Sequence, residues 1–490
     1  MKGAEFLLTL GLALACAAAT LSLAVRAQAQ TLNQFDLNGQ TGYEPYTTVT
    51  QATDGNFYGT TGFGGPNFEG NIFRVTPGGV ITNIHNFCQE PNCADGWAGN
   101  WPPILASDGN LYGVTEGQTV DGVTYGQTLY RLTVDGEFKN LFSICSSGCS
   151  HPLGITLASD GNFYGVGGGG SSNNGTIFRV SLNGQYTVLH SFCVLPNCID
   201  GNYALYPPIQ GNDGNFYGIT LVGGSENTGV VYRMTPSGTY TVIHNFCAFE
   251  NGNCPGGTYP AAGLVQDADG NFVGATQSGG TGYNGVVFKI TPAGQYSVIY
   301  NFDRASAYVG WSSAALTLGS DGNFYGVLGG GPSGSWDPDV SGGVYRLTPE
   351  GVYTLLYKFR EGLGYGFNPL APVIQGTDGN LYGTDAFGGI PAGYLTPDDG
   401  YGTAFQLTTG LSPLVETVPV AGAVGQSVII LGNGLTGSTS VKFNGVEAEF
   451  TVESDTYIKT TVPTGGTTGV VSVLTPSGTL NSNPQFAVSK

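Results

Sequence analysis

Cysteines, acids and histidines are the residues here whose spacing could do chemistry. Apart from Cys16, eight cysteines stand in four close pairs: Cys88 and Cys93, Cys145 and Cys149, Cys193 and Cys198, Cys247 and Cys254. Close pairs can hold zinc as thiolates or join as disulfides. The spacing varies from pair to pair, so four local disulfides are the expectation and zinc is the rival. Each would close a short loop and add only about 2 kcal/mol on the loop-entropy estimate, so pinning a loop is the larger effect.

The acids offer two pairs, Asp337 with Asp339 and Asp398 with Asp399. Glycoside hydrolysis needs two carboxyls facing each other across a cleft. These pairs fall in loops of different repeats, and solvated loop acids are the plainer reading. His85, His190 and His244 share one repeat position, which points to a strand-capping role in three separate units rather than one catalytic centre. His151 stands alone. The recurrent Asp-Gly-Asn, and Asp267-Ala268-Asp269-Gly270-Asn271 above all, could be read as a calcium loop. Calcium takes six or more oxygens with a late bidentate carboxylate. An apolar run follows at once here, as it does after a tight hairpin turn. There is no nucleophile elbow, phosphate-cradling loop or metalloprotease helix, and the glycines at 167–170 lack a strand–helix setting. Neither a cofactor nor a metal is expected.

The elements that position these residues repeat. Asp-Gly-Asn, then Phe or Leu, usually Tyr, then Gly, occurs seven times. Its asparagines are Asn56, Asn110, Asn162, Asn215, Asn271, Asn323 and Asn380, at intervals of 54, 52, 53, 56, 52 and 57 residues. Only Val273 breaks the Tyr position. Each repeat holds four β-branched and aromatic runs bounded by turn residues, as at 207–210, 215–220, 230–236 and 240–246. Four strands in about 50 residues is the size of a propeller blade. Residues 31–37 read as a spare fourth strand. The last repeat reaches a third strand at 404–408 and then leaves the pattern. Pairing the two would close the ring and remove an edge. The expected fold is all-β: a seven-bladed β-propeller of four-stranded blades over residues 30–408, closed by its N-terminal strand.

Asp54 to Thr61, Gly175 to Val180 and Val188 to Phe192 resemble the GloVer tandem repeats of exported bacterial proteins, over about residues 31–408. That family is defined by its repeat and lends no activity. Val273, and the missing His in repeats two, five and six, depart from a uniform pattern. From Leu411 the repeat stops. Residues 412–490 carry strand candidates at 428–431, 440–443, 448–452, 457–462, 469–474 and 485–488. They resemble an IPT/TIG domain through Gly425 to Gly432, Val441 to Gly445 and Thr475 to Gly478. The resemblance implies an immunoglobulin-like β-sandwich acting as spacer or adhesion module.

Lys2, an apolar run from Phe6 to Val25 and Ala27-Gln28-Ala29 form a signal-peptide pattern, with cleavage expected after residue 29. A retained anchor and lipidation at Cys16 are the alternatives, the latter with Ala13 where Leu is usual. Net charge is -19 with charged residues at only 10% and 82 glycines. This composition suits short strands and tight turns, and the acidity excludes nucleic acid and anionic membrane surfaces as partners. No membrane span is expected in the mature chain. The expected setting is extracellular, cell-surface or periplasmic.

A ligand would meet the face that carries the loops between second and third strands and the links between repeats. The longest of the first kind, at 329–343 and 388–402, belong to repeats six and seven. They supply Trp336, Asp337, Asp339, Tyr394, Asp398 and Asp399, which with Trp311 are the candidate ligand-binding residues. Trp97, Trp101, Tyr203, Tyr206 and Tyr259 also lie in links between repeats, and Tyr125 and Tyr283 in the other loops. The leading expectation is a non-catalytic binding protein for an extracellular glycan or protein. The second is a carbohydrate-active hydrolase or lyase with its carboxylates at the channel mouth. All eight paired cysteines should be oxidised in the mature protein. Thiol titration of denatured, unreduced protein should find none of them free, and several free thiols would refute the pairing.

Overall fold

The computed structural model describes residues 31–489 apart from 98, 100, 121–122, 126, 144–148, 171–173, 248–253, 261, 303–314, 330–340, 361–364 and 391–399. Among the described residues, the regular structure is β-strand except for two short 3-10 turns, Pro91–Cys93 and Pro196–Cys198. No helix there is long and apolar enough to cross a membrane.

Each repeat forms an antiparallel sheet with its strands in chain order. In sheet four these are Ile209–Gln210, Phe216–Thr220, Val230–Met234 and Tyr240–Asn245. The second strand is buried throughout, because neighbouring sheets cover both its faces, so its run shows no polar alternation. The fourth strand is the outer one, and its burial is only partial. Sheet five carries an extra strand, Thr258–Pro260, beside Phe272–Ser278.

The repeated string is explained residue by residue. Gly214 turns the chain at φ 81°, where glycine is free of Cβ strain. Asp213 Oδ1 accepts the Asn215 N–H at 3.1 Å, and Oδ2 accepts Asn215 Nδ2 and the Tyr217 hydroxyl, both at 2.8 Å. Asp54, Asp108, Asp160, Asp321 and Asp378 repeat this pattern. The carboxylates are therefore engaged by their own turns. In repeat five Val273 has no hydroxyl. There Asp267 accepts the N–H groups of Asp269 and Asn271 and pairs with Lys289 at 3.1 Å. The glycine after Tyr makes room for the third-strand aromatic: a Cβ at Gly113 would lie 2.2 Å from the Tyr130 hydroxyl oxygen.

The same string ties each sheet to the next. Tyr164 stacks on Phe216 and Tyr217 on Phe272, both at 4.0 Å, and Tyr382 of sheet seven stacks on Phe57 of sheet one at 3.9 Å. Glutamines at the ends of first strands add a second tie. Gln210 accepts the Ser159 N–H of the preceding sheet and donates to Gly214 O in its own turn. Gln266 and Gln375 do likewise toward Asn212 and Ser320, and Gln51 reaches Thr377 of sheet seven. The hydrophobic clusters follow this order and return on themselves, the last joining Val49, Phe57 and Phe73 to Tyr382 and Ala404.

Thr31–Asp36 pairs antiparallel with Thr403–Thr408 as the outermost strand of sheet seven. Here Asp385 stands where Thr61, Thr220 and Thr276 stand in other sheets. Its Oδ2 accepts Gln34 Nε2 of the N-terminal strand at 3.1 Å and Thr403 Oγ1 at 2.9 Å, while Oδ1 has no partner among the described residues. Burial pushes this carboxyl up to about 7.

Beyond residue 411 two further sheets face each other. One orders Glu416–Val418, Ser427–Leu431, Tyr457–Thr461 and Phe450–Val452. The other orders Val446–Glu447, Ser440–Phe443, Val471–Thr475 and Gly478–Asn481. Val428, Ile430, Val441, Phe443, Ile458 and Val473 fill the space between them. Glu416–Val418 and Gly478–Asn481 had no counterpart among the strand candidates. The first is three residues ahead of a proline, and the second reads Gly-Thr-Leu-Asn, too polar to announce itself. Ser427–Leu431 reads as a continuous apolar run because Ile429 and Leu431 face the other way, onto Ala52, Tyr58 and Leu105 of sheets one and two.

Two outcomes test this account. Gly113→Ala forces a Cβ into Tyr130 and should lower the free energy of unfolding by about 1–3 kcal/mol in urea melts. Asp385 is held near 7 in the fold but titrates near its ordinary value when unfolded. The unfolded state therefore loses its proton first, and this group withdraws stability as pH rises from about 4 to about 7. Asp385→Asn keeps an acceptor for Gln34 and Thr403 without titrating. Its melting temperature relative to wild type should rise across that window.

Candidate functional site

The two faces of the ring of sheets differ. The face carrying the Asp-Gly-Asn turns is covered by the C-terminal sheets. Thr456 Oγ1 donates to Thr53 O, Gln426 Nε2 to Ser159 O at 2.9 Å, Asn433 Nδ2 to Thr377 Oγ1 at 2.8 Å and Asn483 Nδ2 to Leu318 O at 2.8 Å. Sheets one, three, six and seven are thus held by polar contacts, and sheets one and two also through Ile429 and Leu431.

On the opposite face the entries to the first strands converge on a cavity of about 480 Å³. Tyr46, Trp101 and Tyr206 bring aromatic rings to it, with Pro102, Pro207 and Pro372 beside them. The local sequence explains the placement. Proline has no N–H for a ladder and suits the approach to a strand, so in Trp101-Pro102 and Tyr206-Pro207 the aromatic residue is left at the rim. The Trp101 and Tyr206 rings meet edge to face at 5.5 Å. Thr60 Oγ1 donates to Trp101 O at 3.1 Å. A Cβ at Gly154 would come within 2.8 Å of the Trp101 ring, so glycine there lets the indole lie down. The Tyr46 hydroxyl donates to Glu44. Burial pushes the Tyr206 hydroxyl up to about 12, so it stays a protonated donor. Glu116 is the one carboxylate among the described residues lining this mouth.

The cysteine loops lie on the same side, between one sheet's fourth strand and the next sheet's first. Cys88–Cys93, Cys193–Cys198 and Cys247–Cys254 are disulfides. Such bonds suggest an oxidising compartment. Cys145 lies outside the described residues, and with it the pairing to Cys149. Within the first loop Asp95 accepts the N–H groups of Gln89 and Glu90 at 2.8 and 3.0 Å; Asp200 does the same for Val194 and Leu195. The recurrent histidines brace these loops and the seams between sheets. His85 lies 3.7 Å from Asp95 and stacks on Phe138 at 3.6 Å; His190 lies 3.5 Å from Asp200 and stacks on Tyr240 at 3.8 Å. His244 stacks on Tyr296 at 4.0 Å. Burial pulls His85 and His244 down to about 4, so they stay neutral near pH 7.

Trp311, Trp336, Asp337, Asp339, Tyr394, Asp398 and Asp399 all lie outside the described residues. Of the other loop aromatics, Trp101 and Tyr206 are brought together, whereas Tyr203 and Tyr283 are exposed and do not line the mouth. Sequence reasoning missed Tyr46, since Tyr46-Thr47-Thr48 lacks the proline that marks the equivalent aromatics. Its position ahead of the first strand was the signal that could have found it.

The profile of the Gloeobacter/Verrucomicrobia repeat matches residues 19–205 and 204–449, running past the last Asp-Gly-Asn into the C-terminal sheets. No curated protein matches the sequence. Among solved structures the chain is similar to an oligogalacturonate lyase from Vibrio parahaemolyticus, at 10% identity and TM-score 0.44 over 77% of this chain and 96% of that one. It is also similar to a puromycin hydrolase, at 12% and 0.43 over 81% and 62%. A third is a luciferin-regenerating enzyme, at 14% and 0.40 over 64% and 92%. Likeness at this level carries no functional argument.

Proposed function

The chain belongs to the Gloeobacter/Verrucomicrobia repeat family, and from that premise we propose that it is an exported, non-catalytic binding protein that holds a glycan at its aromatic mouth. In this reading residues 1–29 are a signal peptide and residues 30–408 a seven-bladed β-propeller. Residues 412–490 are an IPT/TIG-like, immunoglobulin-type sandwich. The cyclic order of the hydrophobic clusters and the strand pairing of Thr31–Asp36 with Thr403–Thr408 support the propeller. The two facing sheets support the sandwich. The disulfides support export to the periplasm, the cell surface or beyond.

The convergence of Tyr46, Trp101 and Tyr206 on one mouth, opposite the covered face, carries the ligand assignment. Flat rings with a polar edge suit the C–H faces and hydroxyls of a sugar. The lining is prearranged by Gly154 and the prolines, so little ordering is needed on binding. A hydrolase or lyase is the second reading, and two carboxyls across the mouth would be its requirement. Among the described residues Glu116 is the one carboxylate lining the mouth, which supports binding.

A glycan array with the full mature chain should identify ligands. Trp101→Ala and Tyr206→Ala should each weaken the best of them at least about tenfold by calorimetry, in keeping with loss of a central aromatic contact. The ligand should be recovered uncut. Undiminished binding by both variants would overturn the site, and release of new reducing ends or unsaturated products would favour the enzyme.

A further inference from the structure

The covered end of the channel is not solid. A cavity of about 320 Å³ lies between the first strands of sheets four to seven and the C-terminal sheets, and a neighbouring one of about 300 Å³ extends it under sheets one and two. Glu416, Val420, Asn483 and Pro484 line both. Ile209 and Leu264 line the first and also the aromatic mouth, so these two side chains stand between the cavities.

The walls are chiefly Ile209, Leu264, Leu316, Ile374 and Val420. Several of their polar neighbours are already engaged. Gln210, Gln266 and Gln375 stitch the turns, Asn483 donates to Leu318, and Asp267 pairs with Lys289. Glu416 is different. It is half-buried on the cavity wall, and no described residue gives its carboxyl a hydrogen bond or a cation. A carboxyl left unpaired among aliphatic side chains is costly as an anion unless something bound there compensates it.

We propose that this cavity binds a small primary alkylammonium ion, its charged head paired with Glu416 and its hydrocarbon against the aliphatic wall. The cavity holds about ten waters' worth of space at roughly 30 Å³ each, enough for a short chain and its residual hydration. A hard metal ion needs six or more oxygens, and one carboxylate among aliphatic residues does not offer them. The lining contributes no Lys, Arg or His to compete for the carboxyl.

Calorimetry of the mature chain with n-butylammonium tests this, with n-butanol and potassium as comparison probes. n-Butylammonium should bind and the other two should not. Glu416→Gln should weaken binding at least about tenfold without changing the melting temperature in the absence of ligand by more than a few degrees. Burial holds the carboxyl near 7. Asp267 is the other titratable group lining the cavity, and its Lys289 partner accounts for it. Binding should therefore be roughly tenfold tighter at pH 8 than at pH 6, and at pH 6 should release close to one proton per ligand. This proton release needs no variant, so it stands even if Glu416→Gln fails to fold. Equal binding of butanol, binding of potassium, undiminished binding by Glu416→Gln, or no proton release would each overturn the proposal.

Discussion

A buried tyrosine hydroxyl is stabilised by an acceptor, and a sheet with two apolar faces must find neighbours. The Asp-Gly-Asn-Phe-Tyr-Gly unit meets both demands at once, and the rest of the molecule depends on it. Asp213 closes its turn and takes the Tyr217 hydroxyl, so the polar end of the ring is satisfied inside its own repeat. The apolar face of the same ring lies on Phe272 of the next sheet. One side chain therefore ends a hairpin and begins an interface. A chain of such units has an unsatisfied ring at one end and a bare face at the other until Tyr382 meets Phe57. Closure follows from the need to cover both.

The closure is made specific by residues outside the unit. Thr31–Asp36 supplies the outer strand that sheet seven lacks. Asp385 replaces the threonine of other sheets and binds Gln34, a contact that only the N-terminal strand can offer. The ring is otherwise close to symmetric, and its two ends are told apart by what covers them. The C-terminal sheets occupy the turn face, and the aromatic mouth lies on the other.

Most of the reactive-looking side chains hold the fold together. The disulfides, Asp95, Asp200 and the stacked histidines pin the links between sheets on the open face. Their recurrence from repeat to repeat was the clue, because a structural joint is needed at every seam and a ligand site is needed once. The residues that break the repeat deserve more weight as functional candidates for the same reason. Trp101 and Tyr206 sit in links whose lengths and partners differ, and Glu416 lies outside the repeat altogether.

The sequence by itself determined the four core strands of the repeat, the turns, the cysteine pairing in the described loops and the strand exchange that closes the ring. These depend on residues a few positions apart, or on a pattern that recurs often enough to be read. The six residues placed in the loops of repeats six and seven, with Trp311 in a link between repeats, rested on loop length and aromatic content. Only the tertiary structure decided which face would be covered and which aromatics would meet. Tyr46, Trp101 and Tyr206 are dozens of residues apart or more, and the cyclic packing of sheets brings them to one mouth. Glu416 reads as an ordinary acid in a linker. Its place on the cavity wall comes from the C-terminal sheets lying across the first strands, and that cannot be read from neighbours in the chain.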